Sequence, residues 1–399
     1  MVFISIFAMF MVFTETKTQK YDEKLLSQPM DKLGLLQDLD SKTIFYIKGI
    51  LGFTISFLLT YITIPAIIKI SRRKNLMDEP TIRSSHERKI PNLGGIAIFF
   101  SLGVCAPIFA YELFEQYKFL FASLVILFYV GVTDDIVVMR AYKKLLVQIA
   151  VSVLMVVGSD VRIRSFFGLF GIEELNYYFS VFFSILTFII LINAFNLIDG
   201  IDGLAGSYSV LSSAVFAISF YRLGEYNYPL VVFCIIIIGA VLGFLKFNLS
   251  KERSHRIFMG DTGSMILGFL LAFTAIQFID VFIDKDDIMI PRYHLLSAPV
   301  IALSILILPV IDTFSVILIR LFKKQSLFKP DRNHLHHRVL DLGLTHKQAT
   351  LVICFIYVLV IILVYFLRHL DLNLLFFVVF LLGMFLSILP IILKKILIK

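Results

Sequence analysis

Apolar stretches of roughly 15–25 residues recur along the whole chain, separated by short polar connectors. Hydrophobic residues make up 59% of the 399 residues, charged residues make up 17%, and the mean hydropathy is +0.90. The core of a soluble protein cannot absorb so much apolar surface. Helices of this length, in contrast, cross a bilayer with every backbone hydrogen bond satisfied. The sequence therefore predicts an all-α polytopic membrane protein.

The hydropathy pattern predicts about eleven transmembrane helices, at residues 47–70, 93–111, 118–133, 144–158, 178–195, 204–221, 229–247, 264–283, 297–320, 350–367 and 373–393. We expect them to form a single membrane-embedded domain over residues 47–399. Residues 1–46 are expected to lie outside as an apolar segment followed by a polar tail. The apolar segment is too short to span and lacks the basic start of a signal peptide.

Lysine and arginine are distributed unevenly between the two sides of this map. Connectors after odd-numbered spans, together with the C-terminus, hold 24 of the 37, connectors after even-numbered spans hold 7, and the N-terminal region holds 6. The positive-inside rule then places the odd connectors and the C-terminus in the cytoplasm and the N-terminus outside. A multi-pass protein of the inner (plasma) membrane is expected, and because no connector can fold alone, its chemistry belongs to cytoplasmic loops and helix ends.

The same topology explains the net charge of +8. Since the cations lie in connectors, anionic lipid head groups or an anionic substrate are the expected partners, and nucleic acid is not. The cysteines Cys105, Cys234 and Cys354 lie inside apolar runs without ligand spacing. This pattern argues against disulfides and against a cysteine metal site.

The densest polar cluster covers residues 193–204, where Asn193, Asn196, Asp199 and Asp202 recur at every third position. Residues at this spacing share a helix face. A charged side chain at bilayer depth is energetically costly, so it is usually paired with another group or has a function. A bare surface loop would not need such regular spacing. We therefore interpret this cluster as part of a functional site.

Another polar cluster occupies the first cytoplasmic connector. Arg83, His86 and Arg88 could bind an anion, and Gly94 and Gly95 permit a close approach of backbone at the start of the second span. Taken alone, an ordinary positive-inside loop explains these residues better.

A carboxylate pair, Asp134 and Asp135, ends the third span, and Lys144 and Gln148 enter the fourth. Adjacent helical residues point about 100° apart, so only one of the two carboxylates is predicted to face a reaction centre. The pair could hold Mg²⁺ or accept a proton. A solvated helix end is the alternative.

The cluster at residues 260–264, GDTGS, directly precedes the eighth span. Asp261 could be no more than the N-cap of that helix. The same geometry directs free N–H groups at a neighbouring ligand, which suits a metal–diphosphate complex. Asp261 would then bind the metal, and the amides of Gly263 and Ser264 would bind phosphate oxygens.

The last cluster lies in the longest cytoplasmic connector and contains His334, His336, His337 and Arg338. Three histidines could bind zinc, but no cysteine is near, and the surrounding cations favour anion recognition. Asp312, inside the ninth span, is compatible with a structural hydrogen bond as well as with a substrate contact.

Carboxylates that suit Mg²⁺ and cations that suit phosphate thus converge on one predicted face. Mg²⁺ usually binds through one or two carboxylates plus substrate phosphates. We therefore expect a soluble diphosphate substrate and a lipid-borne acceptor.

From about residue 68 to residue 337 the chain resembles the polyprenyl-phosphate N-acetylhexosamine-1-phosphate transferases. These integral membrane enzymes move a sugar-1-phosphate from a UDP-sugar to a polyprenyl phosphate and release UMP. The resemblance rests on four motifs in the family's order: the aspartate pair with Lys144, NxxNxxDGxDGL at 193–204, GDTGS at 260–264 and HxHH at 334–337.

The resemblance implies that Mg²⁺, for which Mn²⁺ could substitute, is held mainly by Asp261 together with Asp199. It makes Asp134 the candidate base for the lipid phosphate, and it gives Lys144 the task of neutralising phosphate charge. Direct attack is favoured over an aspartyl intermediate, because a metal and aligned phosphates suffice for phosphoryl transfer. The motifs and the resemblance together assign further catalytic or substrate-binding positions to Asp135, Asp202, Asn193, Asn196, Arg83, His86, Gly263, Ser264, His334, His336, His337 and Arg338.

Two departures from the family pattern occur. Val138 replaces an aspartate common in several members, and the connector at 248–257 lacks the proline often seen before GDTGS. The HxHHR form resembles the N-acetylglucosamine branch more than the phospho-N-acetylmuramoyl-pentapeptide transferases. UDP-N-acetylglucosamine and undecaprenyl phosphate are therefore the expected substrates, in the initiating step of cell-wall or lipopolysaccharide (O-antigen) synthesis. A homodimer is compatible with the pattern.

Besides pentapeptide-transferase specificity, the alternatives are a secondary transporter and a silent scaffold. Transport sites usually lie near the bilayer midplane within internal repeats. Here the polar clusters gather at one face without a visible inverted repeat. A silent scaffold would not need every candidate ligand and base.

Overall fold

The computed structural model describes residues 40–77, 90–283, 295–322, 324 and 334–397. Most of these residues are helical. The helices are α1 (Ser41–Arg73), α2 (Gly94–Phe109), α3 (Tyr111–Gln116), α4 (Phe119–Ile136), α5 (Ala141–Val153, continued by a π-helical turn, Leu154–Gly158), α6 (Tyr177–Ile198), α7 (Leu204–Arg222), α8 (Tyr228–Asn248), α9 (Gly260–Asp280), α10 (Ala298–Ile305), α11 (Ile307–Phe322), α12 (Leu335–Leu340), α13 (His346–Leu367) and α14 (Leu372–Leu397). Short 3₁₀ turns cover Glu225–Asn227 and Arg253–His255.

Within the described part of the chain, nine helices are long and apolar enough to cross a membrane. Two further helices, α10 and α11, are long and apolar enough when taken together, and they meet at an angle of 77°. The second predicted span corresponds to α2, an apolar helix of only 16 residues. Each of the eleven predicted spans thus has a helical counterpart. The prediction of an all-α polytopic membrane protein is confirmed.

The chain divides into two compact units, Met1–Ile44 and Phe45–Lys399. Of the first unit the structure describes residues 40–44, where Asp40 accepts a hydrogen bond from the Thr43 amide at 3.3 Å. The predictions for residues 1–39 lie outside the described residues. The domain boundary at residue 46 remains a prediction.

The bend between α10 and α11 has a local cause. In a continuous helix the carbonyl of Ile305 would accept a hydrogen bond from residue 309, but Pro309 has no N–H group. The hydroxyl of Tyr208 on α7 donates to this carbonyl at 2.9 Å instead, with Ser212 Oγ at 3.4 Å. A neighbouring helix thereby satisfies the broken backbone, as an apolar environment requires.

Tyr208→Phe is expected to lower the stability of the bend without touching the polar residues at the helix ends. The fully buried Ile305 carbonyl would keep only its longer contact with Ser212, so we expect a loss of about 1 kcal/mol. Thermal unfolding in detergent measures this loss as a lower transition temperature. Tyr178→Phe, at a position that is 84% exposed, is the matched control and should leave the transition unchanged.

Helix α9 lies at the centre of the bundle. All residues of its membrane-crossing stretch are buried, and the helix contacts α2, α4, α6, α7 and α10. Such a helix is hydrophobic all round because it has no solvent-facing side. Its first residues, the GDTGS motif, are therefore held rigidly among the ends of several other helices.

A small antiparallel hairpin, β1 (Ser165–Leu169) and β2 (Ile172–Glu174), lies between α5 and α6. The sequence analysis did not predict it. An ion-paired group holds it to the end of α9: Arg164 contacts Asp280, and its other guanidinium nitrogen lies 2.7 Å from Asp160. Strands this short carry too little alternation to stand out from apolar surroundings.

Candidate active site

Five helix ends meet at one end of the bundle: the C-termini of α4 and α6 and the N-termini of α5, α7 and α9. The predicted site residues at these ends are Asp134, Asp135, Lys144, Asn193, Asn196, Asp199, Asp202, Asp261, Gly263 and Ser264. The segment containing His334, His336, His337 and Arg338 is also described, whereas Arg83 and His86 lie outside the described residues.

Asp261 is the centre of this group. Its Oδ2 lies 2.5 Å from Lys144 Nζ, and its Oδ1 accepts a hydrogen bond from Asn196 Nδ2 at 2.5 Å. Lys144 also forms an ion pair with Asp134. Three motifs that are far apart in the sequence thus meet at one carboxylate.

The paired aspartates point in different directions, as their helical spacing predicts. Asp134 faces Lys144 and accepts a hydrogen bond from the Met139 amide at 2.6 Å. Asp135 instead caps α9: its oxygens accept hydrogen bonds from the Asp261 amide at 2.7 Å, the Thr262 amide at 3.1 Å and the Thr262 hydroxyl at 2.6 Å. The backbone N–H groups of Asp261 and Thr262 are therefore already bonded to protein.

Asp134→Asn and Asp135→Asn should separate these two roles. Because Asp135 is a cap, its loss should cost about 1 kcal/mol of stability, which thermal unfolding would detect. Asp134→Asn should lower the turnover rate more than donor affinity, since Asp134 faces the ionic centre. Equal unfolding temperatures for the two variants would contradict the capping role.

The backbone comes close at Gly95, as the sequence predicted for this glycine pair. A Cβ atom at Gly95 would lie 2.2 Å from the Gly263 nitrogen. The Gly94 and Gly95 amides donate to the carbonyls of Phe258 and Met259 at 2.9 and 2.8 Å. The backbone that approaches Gly95 is thus that of the GDTGS motif. Gly263 and Ser264 of this motif are both buried.

Asn193, Asn196 and Asp202 of the 193–204 cluster have different partners. Asn193 donates to Gln148 Oε1 at 2.6 Å, while Asn196 contacts Asp261 and Ser264. Asp202 points to the other side, towards Arg256 Nη2 at 3.2 Å and His346 Nδ1 at 3.5 Å. It therefore links three loops rather than joining the Asp261 contacts.

The histidine segment, defined as residues 334–338, reaches the same end of the bundle. His334 pairs with Asp312 of α11 at 3.0 Å. His336 is buried against Gly200, and burial, followed by the charges of the neighbouring histidines, lowers the pKa of its ring well below the usual value. Arg338 instead donates to the Ser387 carbonyl at 2.7 Å inside the bundle.

The donor set suits a divalent cation. Lys144 is ion-paired with Asp134 and Asp261, and further carboxylates, Asp135 and Asp199, lie beside them. Burial, reinforced by the charge of Asp261, raises the pKa of Asp199 well above its ordinary value. A cation would relieve this excess of negative charge.

Among the described residues, no group of three or more carboxylate, histidine or cysteine side chains is arranged to hold a metal by itself. Mg²⁺ in other sites binds through one or two carboxylates completed by substrate phosphates. The residues therefore fit a metal that is bound together with a diphosphate.

Several contacts at the site were not predicted. Asn92 Nδ2 donates to the Asp135 carbonyl at 3.2 Å, and Thr262 contributes its hydroxyl to the cap of α9. Arg256 and His346 pair with Asp202. Thr262 could have been found inside the GDTGS motif, whereas the other three are contacts between distant loops that leave no pattern in the sequence.

Comparison with known proteins identifies the class. Residues 117–279, which include both the aspartate pair and the GDTGS motif, match the sequence profile of glycosyl transferase family 4. A probable undecaprenyl-phosphate N-acetylglucosaminyl 1-phosphate transferase of Bacillus subtilis is 29% identical over 345 residues, covering 86% of this chain and 91% of that protein.

Two enzymes named undecaprenyl-phosphate alpha-N-acetylglucosaminyl 1-phosphate transferase are also similar. That of Salmonella typhi is 32% identical over 304 residues, 74% of this chain and 78% of its own. That of Escherichia coli K12 is 30% identical over 288 residues, 71% of this chain and 74% of its own. Taken with the fold and the site, these matches define a membrane-embedded transferase. The chain belongs to glycosyl transferase family 4, which confirms the resemblance seen in its motifs.

Proposed function

We propose that this protein transfers N-acetylglucosamine-1-phosphate from UDP-N-acetylglucosamine to undecaprenyl phosphate and releases UMP. The observation that carries the proposal is the convergence of Asp134, Lys144, Asn196 and Asp261 in a chain that matches enzymes of this name over most of its length. The reaction would begin the synthesis of an envelope glycan at the inner membrane, with the site on the cytoplasmic side. The lysine and arginine distribution supports this orientation.

In this reaction an oxygen of the lipid phosphate attacks the phosphorus that carries the sugar. The bond between that phosphorus and the oxygen of UMP breaks. Lys144, held by Asp134 and Asp261, supplies positive charge where carboxylates would otherwise repel the phosphates. Asp134 is the candidate proton acceptor. An aspartyl intermediate on Asp135 is disfavoured, because both of its oxygens serve the cap of α9.

Mg²⁺, or Mn²⁺ in its place, would be held by Asp261 and Asp199, with substrate phosphates as further ligands. When bound, the ion neutralises charge on the diphosphate. The raised pKa of Asp199, caused first by burial and then by the charges of Asp261, Asp135 and Asp202, supports this assignment, since a bound cation stabilises the charged form of such a carboxyl. Within this proposal Asp202 maintains the surrounding loops.

A lipid acceptor is supported by an apolar cavity of about 380 Å³. Its walls come mainly from α6, α9, α10 and the β1 hairpin, and they include Ile190 and Leu191, which lie within one turn of Asn193. A hydrocarbon chain can occupy such a surface without polar partners. The cavity would place the isoprenoid chain along α6, whose C-terminal end carries the phosphate-binding residues.

The proposal is tested with purified protein, Mg²⁺, undecaprenyl phosphate and UDP-N-acetylglucosamine radiolabelled in the sugar. We expect label in the lipid phase together with an equal amount of UMP. Other UDP-N-acetylhexosamines, run in parallel, establish the donor. Absence of labelled lipid with every donor would contradict the proposal, and transfer only from the UDP-N-acetylmuramoyl-pentapeptide would show the other specificity.

A further inference from the structure

Asp312 lies inside a membrane span, where a carboxylate is costly unless it is fully paired. Both of its oxygens are used by the histidine segment. Oδ2 lies 3.0 Å from His334 Nδ1, and Oδ1 accepts a hydrogen bond from the Leu335 amide at 2.6 Å. Asp312 and His334 are both buried, with 4% of each exposed. This carboxylate therefore begins helix α12 from a different part of the chain, much as Asp135 begins α9.

The same contact determines the protonation pattern of His334. A carboxylate is an acceptor, so Nδ1 of the ring carries the hydrogen. In the neutral ring Nε2 is then an acceptor, and in the charged ring it is a donor at a fixed position. The hydrogen bond at Nδ1 thus determines whether Nε2 can donate or accept a hydrogen bond.

The orientation of the His334 ring determines how the neighbouring histidine rings pack. The planes of the His334 and His336 rings are nearly parallel, with an angle of 3° between them, and the ring centroids are 5.8 Å apart. The ring centroids of His336 and His337 are 4.2 Å apart. His336 packs in turn against Gly200, next to Asp199. Asp312 therefore lies at the base of a stack that ends beside the proposed metal ligands.

A second anchor holds the other end of α12. Arg338 donates to the carbonyl and the hydroxyl of Ser387 on α14 at 2.7 and 3.0 Å. The Ser387 hydroxyl contacts Ser315, whose own hydroxyl donates to the Asp312 carbonyl at 2.9 Å. One buried polar network therefore joins both ends of the histidine-bearing helix to the membrane bundle.

We infer that Asp312 is a positioning residue for nucleotide recognition, which fixes the tautomer and direction of His334 and, through it, the histidine stack. The inference rests on the proposed function, together with the assignment of this segment to substrate binding, with the diphosphate of the UDP-sugar as its ligand. Arg338 belongs to the same anchoring network.

The test is a double-mutant cycle on the binding of UDP with Mg²⁺, measured by titration calorimetry on the full chain in detergent. Asp312→Asn keeps an oxygen for the Leu335 amide but presents an NH₂ group to His334, which reverses the ring tautomer. We expect the dissociation constant for UDP to rise about tenfold or more. In a His334→Ala background the same change should have no further effect, because Asp312 acts through His334.

Thr313→Val is the matched control, since its hydroxyl has no hydrogen-bond partner in the described part of the chain; it should bind UDP as the wild type does. If Asp312→Asn does not fold, Asp312→Ser replaces it, because the serine hydroxyl is too short to reach His334 Nδ1 and brings no NH₂ group to the ring. Unchanged UDP affinity, or additive effects in the double variant, would overturn the inference. Wild-type protein that binds UDP with this dependence but labels no lipid would contradict only the proposed transfer.

Discussion

Replacing Asp261 by asparagine is expected to abolish sugar-phosphate transfer. The amide has the shape of the carboxylate and can still accept the hydrogen bond from Asn196, but it has no charge for a metal or for Lys144. A loss of about 4 kcal/mol of transition-state stabilisation corresponds to roughly a thousandfold drop in kcat/KM. The initial rate of lipid labelling at saturating Mg²⁺ measures this effect.

Asp341→Asn is the matched control. Asp341 is an exposed carboxylate, 57% accessible, that is paired with Lys394 at 2.8 Å. Exposed pairs of this kind contribute about 0–1 kcal/mol, so its transfer rate should stay near that of the wild type. If Asp261→Asn were nearly as active as this control, Asp261 could not be the main metal ligand.

Gly200→Ala should have the next largest effect. A Cβ atom at this position would lie 2.2 Å from His336 Nε2, and the histidine is buried, with 2% of it exposed. Either the Asp199 loop or the histidine stack must shift. A displacement of about 1 Å at a catalytic site can cost about 100-fold in rate, and we expect a loss of that order in kcat/KM.

Gly103→Ala tests whether the effect of Gly200→Ala is specific to its site. At Gly103 the nearest atoms to an added Cβ are the Phe99 and Phe121 rings, both at 4.0 Å. Alanine also favours the helix more than glycine does. This variant should be fully active and no less stable. Wild-type activity in Gly200→Ala would mean that the histidine stack does not need its position against the Asp199 loop.

Much of the fold follows from hydropathy because membrane helices form without reference to distant residues. The eleven apolar stretches correspond to described helices for that reason. The bend at α10 and α11 was not predicted. The hydroxyl of Tyr208 that stabilises the bend comes from another helix. The hairpin at Ser165–Leu169 depends likewise on a tertiary partner, Asp280, rather than on its own pattern.

The site was predictable as a set of motifs, but the contacts within it were not. Spacing indicated that Asp134 and Asp135 diverge, and the structure shows that Asp135 caps α9. Spacing alone could not reveal that Asp202 pairs with Arg256, or that Arg338 points to Ser387. These contacts depend on how the helices pack against one another, and local sequence patterns do not predict that packing.

Transfer of a sugar together with its phosphate is the central claim, and the position of the phosphate label tests it most directly. UDP-N-acetylglucosamine should be prepared in two forms, with a radiolabel either in the β-phosphate or in the α-phosphate, and each incubated with the protein, Mg²⁺ and undecaprenyl phosphate. We predict that the β-label enters the lipid and the α-label remains in UMP. If only the sugar were transferred, both the α-label and the β-label would be recovered in UDP and neither would enter the lipid. That result would contradict the account.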